Sequence, residues 1–174
     1  MIISTGMADH DEINEAVEAA RESGCKELAL LHCVSSYPAP SSDYNLRTLP
    51  DIQQKLQTVI GLSAHTINNI TALSSIALGA SIIEKHVTID RTNGGPDDSF
   101  SLEPEELNSL CIEANIAWES LGKINYETKL SEKENLKFRK SLYVVKDLEA
   151  GEKLSINNIR AIRPGYGLHP RYYD

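Results

Sequence analysis

Val59-Ile60-Gly61-Leu62-Ser63-Ala64-His65-Thr66 is the stretch on which the fold turns. It opens as an apolar run and becomes polar at its carboxyl end. A strand buried on both faces reads this way, because helices cover a parallel sheet on each side and leave no face to alternate toward water. Two neighbours share the form, Leu28-Ala29-Leu30-Leu31-His32-Cys33 before it and Ser81-Ile82-Ile83-Glu84-Lys85-His86 after it. Ile2-Ile3-Ser4-Thr5 is a shorter strand at the head of the chain.

Amphipathic stretches separate these runs. Asp9 and Glu12 form a capping box, a helix start signal, ahead of Ile13, Ala16, Val17 and Ala20 at helical spacing. Gly24 is the left-handed residue expected beyond that helix. A second helix is expected from Leu46 to Leu56 and a third from Asn68 to Leu78, stopped by Gly79. A fourth, longer helix takes Ser101 as N-cap and Pro104 in its first turn, with Leu107, Leu110, Cys111, Ala114 and Leu121 as its apolar face and Trp118 as a further buried residue. Strand and helix thus alternate four times, which predicts an α/β fold with a parallel sheet and crossover helices. Units of about 25 residues suit a (β/α)8 barrel, which needs roughly 200 residues or more. Half of such a barrel is expected here.

The composition shifts after Gly122. Three segments are expected: 1–122 as a partial barrel, 123–138 as a charged linker, and 139–174 as a small β-rich module. In that module Ser141 to Val145 and Ile159 to Ile162 are strands, joined through a turn at Leu148 to Glu152 and a short helix capped by Ser155. About 35 residues cannot hold a core alone. Half a barrel also leaves strand edges unpaired, so exposure of the Leu30, Ile60 and Ile82 strands and self-association are expected.

The 174 residues are 41% hydrophobic and 24% charged, an ordinary globular composition, with no apolar run of membrane-spanning length. A formal net charge of −8 speaks against nucleic acid or an anionic membrane as partner. The head of the chain has no basic segment followed by an apolar one, and three widely spaced cysteines read as reduced thiols; a cytoplasmic protein is expected.

In parallel α/β folds, ligands bind at the carboxyl ends of the strands. Those ends carry Ser4-Thr5-Gly6, His32 to Tyr37, Ser63 to Thr66 and Glu84 to His86. His65 and His86 close consecutive strands and suit a shared divalent metal; each could instead simply hydrogen-bond beside the sheet. Glu84 has the parity of His86 and should face the same way, toward a substrate hydroxyl or an imidazole. Lys85 has the opposite parity and should run outward past the helices. His32 reads as a satisfied core histidine, Cys33 as a buried thiol, and Asn93-Gly94-Gly95-Pro96-Asp97 as a connector or substrate lid.

Taken in order, Ile3-Ser4-Thr5-Gly6-Met7, Leu30 to Cys33, Gly61-Leu62-Ser63-Ala64-His65-Thr66, Glu84-Lys85-His86 and Ser101-Leu102-Glu103-Pro104 resemble the sialic acid synthase family. The tail Arg163-Pro164-Gly165-Tyr166-Gly167-Leu168-His169-Pro170 resembles the start of that family's antifreeze-like SAF domain. Gly94-Gly95-Pro96-Asp97-Asp98-Ser99-Phe100 looks most like the pseudaminic acid branch, whereas Leu31-His32-Cys33 is closer to the acetylneuraminate and legionaminate branches.

The resemblance implies a (β/α)8 barrel followed by the SAF domain in a domain-swapped homodimer, with this chain supplying strands five to eight and a truncated SAF module. It implies condensation of phosphoenolpyruvate with a six-carbon amino sugar to a nine-carbon nonulosonic acid, the chain alone being inactive without the barrel's other half. The implied cofactor is a divalent metal, Mn2+ first and Mg2+ or Co2+ as alternatives, on His65 and His86. Glu84 acts with them. Ser4, Ser63 and, with a departure in residue type, Ser35 meet phosphoenolpyruvate; Tyr37, Glu84 and Asp97 meet the sugar; Arg163 reaches into the partner's site. Ala64 stands where the family has an aspartate, a change expected to weaken metal binding or loop geometry. Outside this family, a Schiff-base aldolase would need an inward lysine, and a non-catalytic half-barrel or partner-binding piece is the alternative from another class.

Overall fold

The computed structural model describes residues 1–173. Four strands, β1 (Ile2–Ser4), β2 (Ala29–Cys33), β3 (Val59–Ala64) and β4 (Ile82–Lys85), lie side by side in chain order, all parallel. Helices α1 (His10–Glu22), α2 (Thr48–Leu56) and α3 (Ile70–Ile76) connect them, and α4 (Pro104–Leu121) follows β4. Chain division gives two compact units, Met1–Lys123 and Ile124–Asp174.

Local chemistry sets the helix ends. The Asp9 carboxylate accepts from the N–H groups of Asp11 and Glu12, both at 3.0 Å, and Glu12 accepts from the N–H of Asp9 at 2.9 Å. At the other end of α1 the Cys25 N–H bonds the Ala20 carbonyl and the Gly24 N–H that of Arg21, with Gly24 at φ +87°. That pair is a Schellman motif, and glycine takes its left-handed position without strain. α4 departs from expectation. Its N-cap is Glu103, not Ser101, because Pro104 occupies the first helical position and the Glu103 N–H is met by Glu106 at 2.9 Å. Ser101 is instead buried, donating to the Asp97 carbonyl at 2.7 Å.

Alternation along the strands sorts the core. Leu30 and Ile60 pack with Val17 of α1 and Leu49, Ile52 and Leu56 of α2. Leu62 and Ala64 pack with Ala72 of α3, Leu110 of α4, Leu102 and Tyr44. The expected exposure of Leu30 and Ile60 is therefore wrong: each is 1% exposed, on the face the helices cover. What stays open is the outer edge of β1 and of β4, each paired on one side only. α4 is also less covered than its sequence suggests. Only Leu110 is buried on it; Cys111 and Leu121 are exposed, and Trp118 is 69% exposed rather than core. No helix among the described residues is long and apolar enough to cross a membrane.

In the second unit, β5 (Ser141–Val144) and β6 (Ile159–Ile162) pair antiparallel. Ser155 starts a turn and not a helix, with the N–H groups of Asn158 and Ile159 both bonded to its carbonyl. The stretch read as a linker carries a 3-10 helix, Leu130–Phe138, and the Gly165 N–H bonds the Lys137 carbonyl at 2.8 Å. That bond ties it to the module it precedes.

Gly61 lets β2, β3 and β4 approach on the helix-free face. A Cβ there would sit 2.5 Å from both Leu31 Cδ2 and the Ile82 carbonyl oxygen. Backbone cannot yield as a side-chain tip can, so Gly61→Ala is expected to lower stability by about 1–3 kcal/mol, the usual cost of overfilling a tight core. Thermal or urea unfolding reads this out; an unchanged midpoint would contradict the close approach.

Candidate functional site

The carboxyl ends of β3 and β4 carry the chemistry. Their register pairs Ser63 with Glu84 and Ala64 with Lys85. Side chains alternate, so Ser63 and Glu84 share one face and Ala64 and Lys85 the other. The Ser63 hydroxyl donates to Glu84 Oε1 at 2.7 Å. Just beyond the strands, the rings of His65 and His86 lie 5.3 Å apart between centroids, nearly perpendicular at 71°. Both histidines and Glu84 therefore gather at one end of the sheet.

His65 is 4% exposed. Its Nδ1 lies 2.8 Å from the Val34 carbonyl oxygen, which can only accept, so the proton sits on Nδ1 and the Nε2 lone pair is free. Ser63 Oγ is 3.4 Å from that Nε2 but spends its own proton on Glu84. His86 repeats the pattern: its Nδ1 faces Asp97 Oδ2 at 3.4 Å. An acceptor behind Nδ1 is the arrangement that orients histidine to ligate metal through Nε2. The donor set thus fits a divalent cation, with two protein nitrogens. Among the described residues no cluster of three or more His, Cys, Asp or Glu side chains could hold an ion alone.

Aromatic rings wall the pair. Tyr37 stands 4.2 Å from the His65 ring and 5.8 Å from that of His86, and Phe100 lies 5.1 Å from His86 and 5.6 Å from Tyr37. Phe100 was not anticipated from sequence, where it is one apolar residue in a polar loop. Of the other candidates, Ser4 is exposed at the end of β1, two strands away. Ser35 is exposed, its hydroxyl close to Gly6. Arg163 belongs to the second unit. His32 lies on the helix-covered side, with Nε2 2.6 Å from the Tyr44 carbonyl, a satisfied core histidine.

Lys85 does point away from Glu84 and His86, yet it does not simply reach past the helices. Its ammonium donates to the carbonyls of Thr66 at 2.6 Å and Asn68 at 3.0 Å, tying the loop after His65 to the strand that precedes His86. Desolvation lowers its pKa to about 8, with Arg91 adding to the shift and Glu106 opposing it. The loop after β4 is pinned as well. Leu102 N–H bonds the His86 carbonyl, Arg91 Nε donates to the Ser101 carbonyl at 2.9 Å, and the Arg91 guanidinium pairs with Glu106. Asp97 is thereby held on a loop anchored at both ends.

Comparison with known proteins places the chain. Residues 1–126 match the NeuB family and residues 139–174 the SAF domain. The chain is 37% identical, over all of its length and 53% of the relative's, to an N,N'-diacetyllegionaminic acid synthase of Campylobacter jejuni. It is 34% identical, over 99% of itself and 50% of the relative, to a pseudaminic acid synthase of the same organism. The solved N-acetylneuraminic acid synthetase of Leptospira borgpetersenii superposes with a TM-score of 0.70 at 39% identity, covering 79% of this chain and 48% of that one. The chain spans about half the length of the curated relatives it matches.

Glu106 is the acidic anchor of the Asp97 loop. Its carboxyl is held below the usual range by the Glu103 N–H first and by Arg91 second. A lowered folded pKa gives stability that is present above the unfolded value and lost as pH falls through the folded one. Glu106→Gln is therefore expected to destabilise the chain by a constant amount above about pH 5, the difference closing as pH falls below about 4. Unfolding curves of both proteins across that range check it; a difference independent of pH would show that the carboxylate charge is not what anchors the loop.

Proposed function

Since the chain belongs to the NeuB family and carries a SAF domain behind it, we propose that it forms the metal-holding side of a nonulosonic acid synthase. The observation that carries the reading is the meeting of the His65 and His86 rings, 5.3 Å apart between centroids at adjacent strand ends, each with an acceptor behind Nδ1, the Val34 carbonyl and the Asp97 carboxylate. The reaction is condensation of phosphoenolpyruvate with a six-carbon amino sugar. The C3 carbon of phosphoenolpyruvate bonds to the sugar's aldehyde carbon, water adds at C2, and phosphate leaves with C–O cleavage. A divalent cation, Mn2+ by preference, on His65 and His86 supplies Lewis-acid polarisation of the aldehyde oxygen.

The chain's own residues do the rest of what this half contributes. Glu84, held by the Ser63 hydroxyl, presents a carboxylate to a sugar hydroxyl beside the histidines. Tyr37 and Phe100 offer apolar faces that order the sugar and exclude water from the aldehyde. Asp97 shares its carboxylate between His86 and the sugar. Ser4, Ser35 and Ser63 face phosphoenolpyruvate, and Arg163 serves the site of a partner copy in a domain-swapped homodimer. Gly94-Gly95-Pro96-Asp97 favours a pseudaminic-type sugar. The four strands here form half of the catalytic barrel, and the chain turns over only when the other four are supplied. A soluble, cytoplasmic enzyme is the setting this chemistry suits.

Five histidines make the test direct. Paramagnetic Mn2+ added to the chain is expected to broaden the imidazole resonances of His65 and His86 together and most strongly, at millimolar concentration, His32 less, and to spare His10 and His169. His65→Ala is expected to abolish the effect at His86. Broadening of one histidine alone, or of His10 and His169 equally, would remove the shared metal and with it the proposed chemistry.

A further inference from the structure

His65 stands one residue past the end of β3. The ladder to β2 closes at Cys33 and Ser63, and that to β4 at Ala64 and Lys85, so no strand neighbour offers its backbone N–H a carbonyl. Tyr44 supplies the acceptor instead. Its phenol oxygen lies 2.6 Å from the His65 nitrogen, and its side chain is completely buried. Tyr44 is itself fixed at the other end, because the His32 ring bonds its carbonyl at 2.6 Å. The Ala39 N–H takes the His65 carbonyl at 3.0 Å, and the Val34 carbonyl takes Nδ1. The bonds from Val34, Ala39 and Tyr44 thus all come from the connection between β2 and α2, and of these three residues Tyr44 alone bonds through its side chain; the strands add longer contacts to the ring, from Ser63 Oγ at 3.4 Å and Cys33 Sγ at 4.0 Å.

From this geometry we propose that Tyr44 is a positioning residue for the nonulosonic acid synthase site: its phenol oxygen extends the β3 ladder by one bond and thereby aims His65 Nε2 at His86. The proposal rests on the metal-pair reading only for its consequence, not for its geometry. Burial makes the bond persistent, since no water competes for the His65 N–H. Phenylalanine would fill the same space among Leu62, Ala64, Ala72 and Leu102 while leaving that N–H with nothing to meet.

Tyr44→Phe is the variant, and Leu110→Ala, in the same core cluster, is the control for lost stability alone. Nitrogen-15 spectra of the imidazoles are expected to show His65 protonated at Nδ1 in the parent and in Leu110→Ala, and a mixture of tautomers in Tyr44→Phe. Mn2+ broadening of His65 and His86 is expected to require about tenfold or more metal in Tyr44→Phe, the usual scale for removing a group behind a ligand. An unchanged His65 tautomer with unchanged Mn2+ dependence would overturn the proposal and leave the metal pair standing. A tautomer shift in Tyr44→Phe, with a parent chain that never binds Mn2+, would keep the positioning role and overturn the metal reading. Should Tyr44→Phe not fold, hydrogen exchange on the parent decides: the His65 amide is expected to be at least a hundredfold slower than that of exposed Asn68, and equal rates would overturn the bond.

Discussion

The register of β3 against β4 is the constraint on which the site depends. Ser63 opposite Glu84 places Glu84 and, two residues on, His86 on the face shared with His65. It places Lys85 and Ala64 among the helices. A slip of β4 by one residue would send His86 into the core and bring the Lys85 ammonium to the open face, leaving His65 without its partner. Two features resist that slip. Gly61 admits Leu31 and the Ile82 backbone only in this alignment, and the Lys85 ammonium finds the Thr66 and Asn68 carbonyls only from this side. The chemistry at the strand ends is therefore specified partly from the face that never meets a ligand.

Much of this was legible in the residues. Continuous apolar runs ending in polar ones mark parallel strands, and the parity of Glu84, Lys85 and His86 assigns their faces without a structure. The capping box at Asp9 and Glu12 and the glycine at 24 set α1 by local chemistry alone. What failed to read through were features decided by neighbours distant in sequence. The apolar positions of α4 suggested a buried helix, yet a helix is covered only where another element lies against it, and Cys111, Trp118 and Leu121 stay exposed. Ser101 looked like the N-cap of α4 because serine caps well in isolation, whereas Pro104 fixed the helix start and left the cap to Glu103.

Tyr44 shows the same limit at the site itself. It sits between Asp43 and Asn45 in a polar turn, where a tyrosine carries no periodic signal. Only the fold reveals that a 3-10 turn, Ser41–Tyr44, drives it to zero exposure beneath β3. Phe100 is similar, an isolated ring in a loop that the Arg91 contacts fold back onto β4. Site residues that act on a ligand declare themselves at strand ends; those that hold them in place are scattered, because any buried donor or acceptor near the right backbone group will serve.

Ala64 joins these threads. The family resemblance puts an aspartate at this position, and its loss is expected to weaken metal binding or loop geometry. The structure puts the side chain on the opposite face, 1% exposed among Tyr44, Leu62, Ala72 and Leu102, and directly paired with Lys85. A carboxylate there would meet the ammonium before it met any imidazole. With alanine in its place, Lys85 has no carboxylate on the neighbouring rung and satisfies its protons on the carbonyls of Thr66 and Asn68, its desolvation uncompensated enough to lower its pKa to about 8. Those carbonyls lie in the loop that follows His65, and Tyr44 holds the N–H of His65 itself. The backbone on either side of the histidine is thus held by neutral groups and one cation, so a change at 64 reaches the loop that carries His65 by way of Lys85.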